Sequence, residues 1–138
     1  MRIRRVDGAR QADLLGALHT ACMPADDVPD FSHGWWWVGT VDGVPAAFAG
    51  MTPVASWPQT AYLKRSGVLP QFRGNGYQKR LIRVRLAYAR RLGMERVVTD
   101  TAEWNYASSN SLIACGFRLY EPQRRWSFGT ALYWVKKL

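Results

Sequence analysis

The chain is short of the residues that most often do chemistry or lock a fold covalently. Cysteine occurs twice, at Cys22 and Cys115, which is too few for a disulfide framework or a cysteine-based metal set, and a reduced, cytoplasmic setting is expected. Histidine also occurs twice, at His19 and His33. No Ser-His-Asp order and no metal-ligand spacing runs through them, and His19 falls in a helical pattern as a structural residue. Apolar residues make up 48% of the chain, yet no run approaches the ~18 that a membrane span needs. The opening Met1-Arg2-Ile3-Arg4-Arg5-Val6 has charge but no apolar stretch behind it, so no secretory leader is expected. Repeats, low-complexity tracts and linkers are absent, which predicts one domain over residues 1–138 with a single buried core.

Negative charge is scarce as well. Lysine and arginine number 19 against 10 aspartates and glutamates, a formal net charge of +9. That balance suits an anionic ligand, nucleic acid or plain solubility. Much of it falls on Lys79, Arg80, Arg83, Arg90 and Arg91, which share one side of a helix-period pattern. Tyr77, Leu81, Val84, Tyr88 and Leu92 share the other side, which would pack on a sheet. The basic side reads as a solvated face whose first members, Lys79 and Arg80, could draw in phosphate. No aromatic-plus-basic strand of the RNA-recognition kind is present, so no specific nucleic acid and no membrane is expected as a partner.

What is there resolves into alternating strands and helices. Ile3 to Val6 predicts an edge strand, and Ala9 to Cys22, with Leu14, Leu15 and Leu18 at helical spacing, a first helix. Met23 to Asp30 contains two prolines and the acids Asp26, Asp27 and Asp30. It reads as a loop that either receives a cation or is merely solvated. Trp35 to Thr40 and Val44 to Met51 form a hairpin about Asp42-Gly43, the tryptophans alternating between core and surface. There follow a strand at Ala61–Leu69, a helix at Gly74–Leu92, a strand at Val97–Thr101 and a helix at Ser108–Cys115 with Ser108 as N-cap. Phe117–Tyr120 and Ala131–Lys136 close the pattern as strands. The class is α/β (α+β): a mixed sheet of about seven strands flanked by three or four helices.

The most specific stretch is Val68-Leu69-Pro70-Gln71-Phe72-Arg73-Gly74-Asn75-Gly76, running into Tyr77-Gln78-Lys79. A strand, a glycine-bearing turn and a helix start together make an anion site. Backbone N–H groups there have no partner inside the helix, and the helix dipole presents its positive end. Gly74 and Gly76 let the backbone come close to a phosphate. A dinucleotide fingerprint fails because Lys79 stands at its third glycine, and a Walker A loop fails because Tyr77-Gln78 follows Gly76.

The remaining pattern, V-x-P-x-x-R-G-x-G, resembles the acyl-CoA loop of the GNAT superfamily of N-acetyltransferases. Gln78 departs from it by placing a long side chain at a usually small position. A second motif agrees: after the Val97–Thr101 strand comes Asn105, and eleven residues later Gly116-Phe117. The resemblance implies a mostly antiparallel sheet, acetyl-CoA as co-substrate, and transfer to a primary amine on a small molecule or peptide. Ser66, Gly67 and Val68 would pair with the pantetheine arm. Arg73, Gly74, Asn75, Gly76, Tyr77, Gln78 and Lys79 would hold the pyrophosphate. Asn105 would bond the cofactor near its thioester, or else only cap the next helix. Asp100, five residues before Asn105, stands where some members carry the base, with Glu103 as the alternative. Leu112 replaces the tyrosine that many members use to protonate the leaving thiolate. No metal is implied. The competing reading is a CoA-binding module without catalysis, or a basic domain for nucleic acid; whether the protein is monomer or homodimer is left open.

Overall fold

Apolar periodicity and turn chemistry set the order of elements in the structure, a computed structural model that describes residues 1–138. The order is β1 (Arg2–Val6), α1 (Ala12–Cys22), β2 (Trp35–Val41), β3 (Val44–Pro53), β4 (Thr60–Val68), a 3-10 turn (Pro70–Phe72), α2 (Tyr77–Arg91), β5 (Arg96–Ala102), α3 (Tyr106–Ala114), β6 (Arg118–Leu119) and β7 (Ala131–Lys137). The strands form a seven-stranded sheet in the order β1-β2-β3-β4-β5-β7-β6. Strand β5 runs parallel to β4, while the β1–β2, β2–β3, β5–β7 and β6–β7 pairs are antiparallel. This is the mixed, mostly antiparallel α/β sheet expected. No helix is long and apolar enough to cross a membrane.

The chain divides into two compact units, Met1–Thr52 with Lys64–Leu81, and Pro53–Leu63 with Ile82–Leu138. In the first, alternation along the strands sorts large from small residues. Trp36, Val38 and Phe48 pack with Leu15 and Leu18 of α1 and with Phe31. Ala47 and Ala49, facing the other way from β3, pack with Val68 and Leu81. Small alanines on that face let the start of α2 lie close to the strand, and each large side chain buried on the opposite face contributes roughly 1.5–3 kcal/mol. In the second unit β5 and β7 pair over their whole lengths. The Thr99 hydroxyl donates to the Leu63 carbonyl at 3.0 Å and the Trp134 indole to the Thr101 hydroxyl at 2.9 Å.

Five expectations need correction. Helix α1 begins at Ala12, not Ala9, because Asp7 holds a turn instead: its carbonyl takes the Gln11 amide and its carboxylate the Arg10 amide. Helix α2 begins at Tyr77, not Gly74, since Gly74 and Gly76 lie at positive φ. Its buried residues are Leu81, Ile82, Arg85, Leu86 and Ala89, whereas Leu92 is 41% exposed. An arginine inside the stripe hid that face from a reading by polarity. Burial pushes the Arg85 pKa down to about 9, which still leaves it charged at neutral pH. Trp36 and Trp37 are both buried rather than alternating with solvent, because both faces of β2 are covered. The fifth concerns α3, which starts at Tyr106 with Asn105 as its cap: the Asn105 side chain accepts the Ser108 amide at 3.2 Å, displacing Ser108 from that role.

His19, on the inner side of α1, has a specific consequence. Its Nε2 lies 2.9 Å from the Arg65 guanidinium, which can only donate, so Nε2 is bare and the proton sits on Nδ1, buried without a partner. Burial, then the Arg65 charge, hold the imidazole pKa below its ordinary value, with Asp26 pulling the other way. Between its folded pKa and ~6.5 the unfolded chain therefore binds a proton that the folded chain refuses. Stability from the neutral form is complete above ~6.5 and falls as the pH drops through that value toward the folded pKa. Melting temperatures recorded from about pH 7 to about pH 5 should fall less steeply in His19→Phe than in wild type. Equal slopes would contradict the assignment.

Candidate active site

Strand β4 ends at Val68, and the chain then turns tightly into α2. The Leu69 amide donates to the Ala46 carbonyl at 2.8 Å, and the 3-10 turn closes with the Phe72 amide on the Leu69 carbonyl. Arg73 folds back so that its Nε donates to the Val68 carbonyl at 2.9 Å. Asn75 braces the turn from within, its side-chain amide donating to the Phe72 and Arg73 carbonyls. Gly74 and Gly76 sit at φ +83° and +75°, and a Cβ added at either would meet nothing within 4 Å. The Arg80 amide donates to the Gly76 carbonyl at 3.3 Å as the helix opens. The amides of the first helical turn thus precede any intrahelical acceptor. Open space, a cradle of amides and the cations of Arg73, Lys79 and Arg80 fit the pyrophosphate of a CoA.

Two further features shape this loop. Gln78, the long side chain at a usually small position, turns away from it and donates to the Ser66 hydroxyl at 2.8 Å. The departure thus ties α2 to β4 and leaves the Gln78 backbone amide in the helix start. Gly67 is needed for packing: an added Cβ would come within 2.7 Å of Cys22 Cβ and 2.8 Å of its sulfur. Burial raises the Cys22 thiol pKa, against a smaller lowering by Arg73, so the thiol stays protonated rather than nucleophilic. Gly67→Ala should destabilise the protein by about 1–3 kcal/mol through overpacking, read as a drop in melting temperature. An unchanged melting temperature would show that α1 yields freely.

The second unit holds the candidate bases. Asp100, half-buried on β5, accepts the Tyr62 hydroxyl on Oδ1 at 2.7 Å and the Ser127 hydroxyl on Oδ2 at 2.6 Å. The Ser127 amide donates to the Tyr133 hydroxyl at 2.9 Å. Trp126 stands edge-on to Tyr62 and Tyr133, at 5.5 and 4.8 Å between ring centres. Glu103 is exposed and lines an open cleft of about 550 Å³ with Tyr120, Glu121, Arg125 and Tyr133 among others. The Tyr120 hydroxyl is buried and has no well-aligned hydrogen bond, the Trp126 indole being only a loose partner. Burial raises its pKa, the nearby Trp126 indole lowers it, and Tyr133 and Asp100 raise it further.

Ser66, Gly67 and Val68 thus end β4 and Arg73 to Lys79 form the turn and the start of α2, all within the first unit, with Val68 itself buried. Asp100, Glu103 and Asn105 lie together on and just after β5 in the second, but only Asp100 has built-in hydroxyl partners. Leu112 is 4% exposed within α3. The acidic loop is engaged locally: Asp26 pairs with Arg65 at 3.4 Å, and Asp30 with His33 and the Ser32 amide and hydroxyl. No group of three or more His, Cys, Asp or Glu is arranged to hold a metal. Tyr62 and Ser127 escaped the sequence reading because neither belongs to a motif; they meet Asp100 only through folding.

The sequence pattern of the Acetyltransferase (GNAT) family matches residues 9–117. The chain belongs to the GNAT acetyltransferase family. No protein of curated function matches it. The GNAT assignment agrees with the architecture of solved structures. The IAA acetyltransferase from Bacillus cereus ATCC 14579 superposes with a TM-score of 0.81 at 16% identity, covering 99% of each chain. An acetyltransferase from Bacillus subtilis in complex with CoA gives 0.79 at 18% identity, again over 99% of each. The ribosomal-protein-S18-alanine N-acetyltransferase from Escherichia coli gives 0.78 at 16%, covering 99% of this chain and 92% of that one. At these identities what this GNAT protein shares with them is the fold.

Proposed function

We propose that residues 1–138 act as one acetyl-CoA-dependent N-acetyltransferase domain, moving the acetyl group to a primary amine of a small molecule or peptide by direct attack in a ternary complex. The observation that carries this reading is the Arg73–Lys79 loop, whose two positive-φ glycines border open space at a helix start. The thioester of acetyl-CoA supplies the activated acetyl group. Gly74 to Lys79 hold the pyrophosphate through backbone amides, and Arg73 fixes the turn while adding charge. Ser66, Gly67 and Val68 offer the β4 backbone to the pantetheine arm. Asn105 uses only its carbonyl oxygen as a helix cap, which leaves its NH₂ for the cofactor. Asp100 takes the amine's proton; Glu103, exposed and without a fixed hydroxyl, is the second candidate.

Leu112 favours the competing reading, a CoA-binding module without catalysis, because a buried leucine exchanges no proton. The chemistry tolerates it. A thiol of pKa ~8.5 leaves as a thiolate near neutral pH and is protonated by water. Direct attack needs no enzyme nucleophile, in keeping with a protonated Cys22. Initial rates measured against both acetyl-CoA and amine should give intersecting reciprocal lines. Parallel lines would reveal an acetylated enzyme and overturn the ternary-complex mechanism.

A further inference from the structure

We propose that Ser127 relays the amine's proton to Asp100, so that the base acts through a fixed hydroxyl rather than by direct contact. This rests on the assignment of Asp100 as base. Both Asp100 oxygens already accept hydroxyl hydrogen bonds, from Tyr62 at 2.7 Å and from Ser127 at 2.6 Å. A hydroxyl donates and accepts at once, so it can take a proton from one side while giving its own to the other. Of the two, Tyr62 belongs to β4, with Trp126 edge-on to its ring. Ser127 belongs to the connection between β6 and β7, whose Arg125, Gly129 and Thr130 line the open cleft.

That connection is fixed on both sides of Ser127. Its own amide is held by the Tyr133 hydroxyl, and Trp126 abuts the Tyr133 ring. Arg125 donates to the Ala131 carbonyl at 2.8 Å, pairs with Glu121 at 3.0 Å and lies 4.9 Å over the Tyr133 ring. The Ser127 oxygen is thus held at hydrogen-bond distance from the carboxylate, next to the segment that walls the cleft. In the step proposed, the ammonium gives one proton to Ser127 Oγ while Ser127 passes its own to Asp100 Oδ2. The freed nitrogen lone pair forms the N–C bond to the thioester carbonyl carbon, and the C–S bond breaks. The thiolate leaves with that electron pair and takes a proton from water; the second amine proton is lost to solvent.

Ser127→Ala should lower kcat/KM about a hundredfold, the lower end of general-base contributions, and Ser127→Thr should restore most of it. Rates in mixtures of light and heavy water should bow for wild type, where two protons move together, and become linear in Ser127→Ala. Melting temperature and intrinsic fluorescence, to which Trp126 contributes as one of seven tryptophans, should match wild type in both variants, showing that the fold around the segment is kept. Wild-type turnover in Ser127→Ala, a loss that threonine does not restore, a bowed solvent dependence that survives in Ser127→Ala, or Tyr62→Phe carrying the loss instead would each overturn the relay. Altered fluorescence accompanying the loss would also overturn it, by assigning the effect to a displaced segment. A slow Asp100→Asn beside a fast Ser127→Ala removes the relay alone, whereas a fast Asp100→Asn removes the assignment of the base itself.

Discussion

Replacing Gly76 by valine should cost CoA at least about a hundredfold in affinity, roughly 2.8 kcal/mol at ~1.4 per decade. Two effects combine. The residue sits at φ +75°, which a β-branched side chain tolerates only at a cost of about 1–3 kcal/mol. The side chain would also stand in the open space where the backbone is proposed to meet the pyrophosphate, removing amide contacts to a charged group worth about 1.5–3 kcal/mol each. The fold should survive, because no protein atom lies within 4 Å of the added Cβ. Gly93 supplies the control: its φ is +79° and its surroundings are equally open, but it follows the far end of α2. Gly93→Val should carry similar strain and leave CoA affinity at the wild-type value. Calorimetry showing equal CoA affinities in Gly76→Val and Gly93→Val would remove the loop assignment.

Asp100→Asn should lower kcat/KM by about 10²–10⁴, the usual range for loss of a general base. Asparagine keeps the size and can still accept the Tyr62 hydroxyl through its carbonyl oxygen. Its NH₂ faces the Ser127 hydroxyl as a donor and takes up no proton. Affinity for CoA should be unchanged, since Asp100 is not among the residues proposed to hold the cofactor. Wild-type turnover in this variant, with the loss found in Glu103→Gln, would transfer the role to Glu103.

Elements with a strong local cause were legible from sequence. Asp42-Gly43 signalled the β2–β3 hairpin, and both residues take the positive φ that a tight hairpin turn needs. Pro70 to Gly76 signalled the end of a strand and the start of a helix. What stayed hidden depended on partners distant in sequence. Arg85 reads as a surface residue by polarity and proves fully buried. Gln78 reads as a long side chain at a usually small position, and only the fold shows that it bonds Ser66 across the turn. Asn105 carried two readings, and the bond to the Ser108 amide establishes the cap, which occupies only half of its amide. Tyr62, Ser127 and the aromatic ring of contacts about Tyr133 had no motif at all. They converge on Asp100 because β4, β5 and β7 are neighbours in the sheet.

The measurement that bears most directly on the proposed activity follows free thiol and acetylated amine together, from acetyl-CoA and a broad panel of primary amines. Transfer predicts CoA release that saturates with at least one amine, matched one for one by N-acetylated product, despite leucine at position 112. Firm binding of acetyl-CoA with no amine raising CoA release above thioester hydrolysis would contradict it, and leave a CoA-binding module without catalysis.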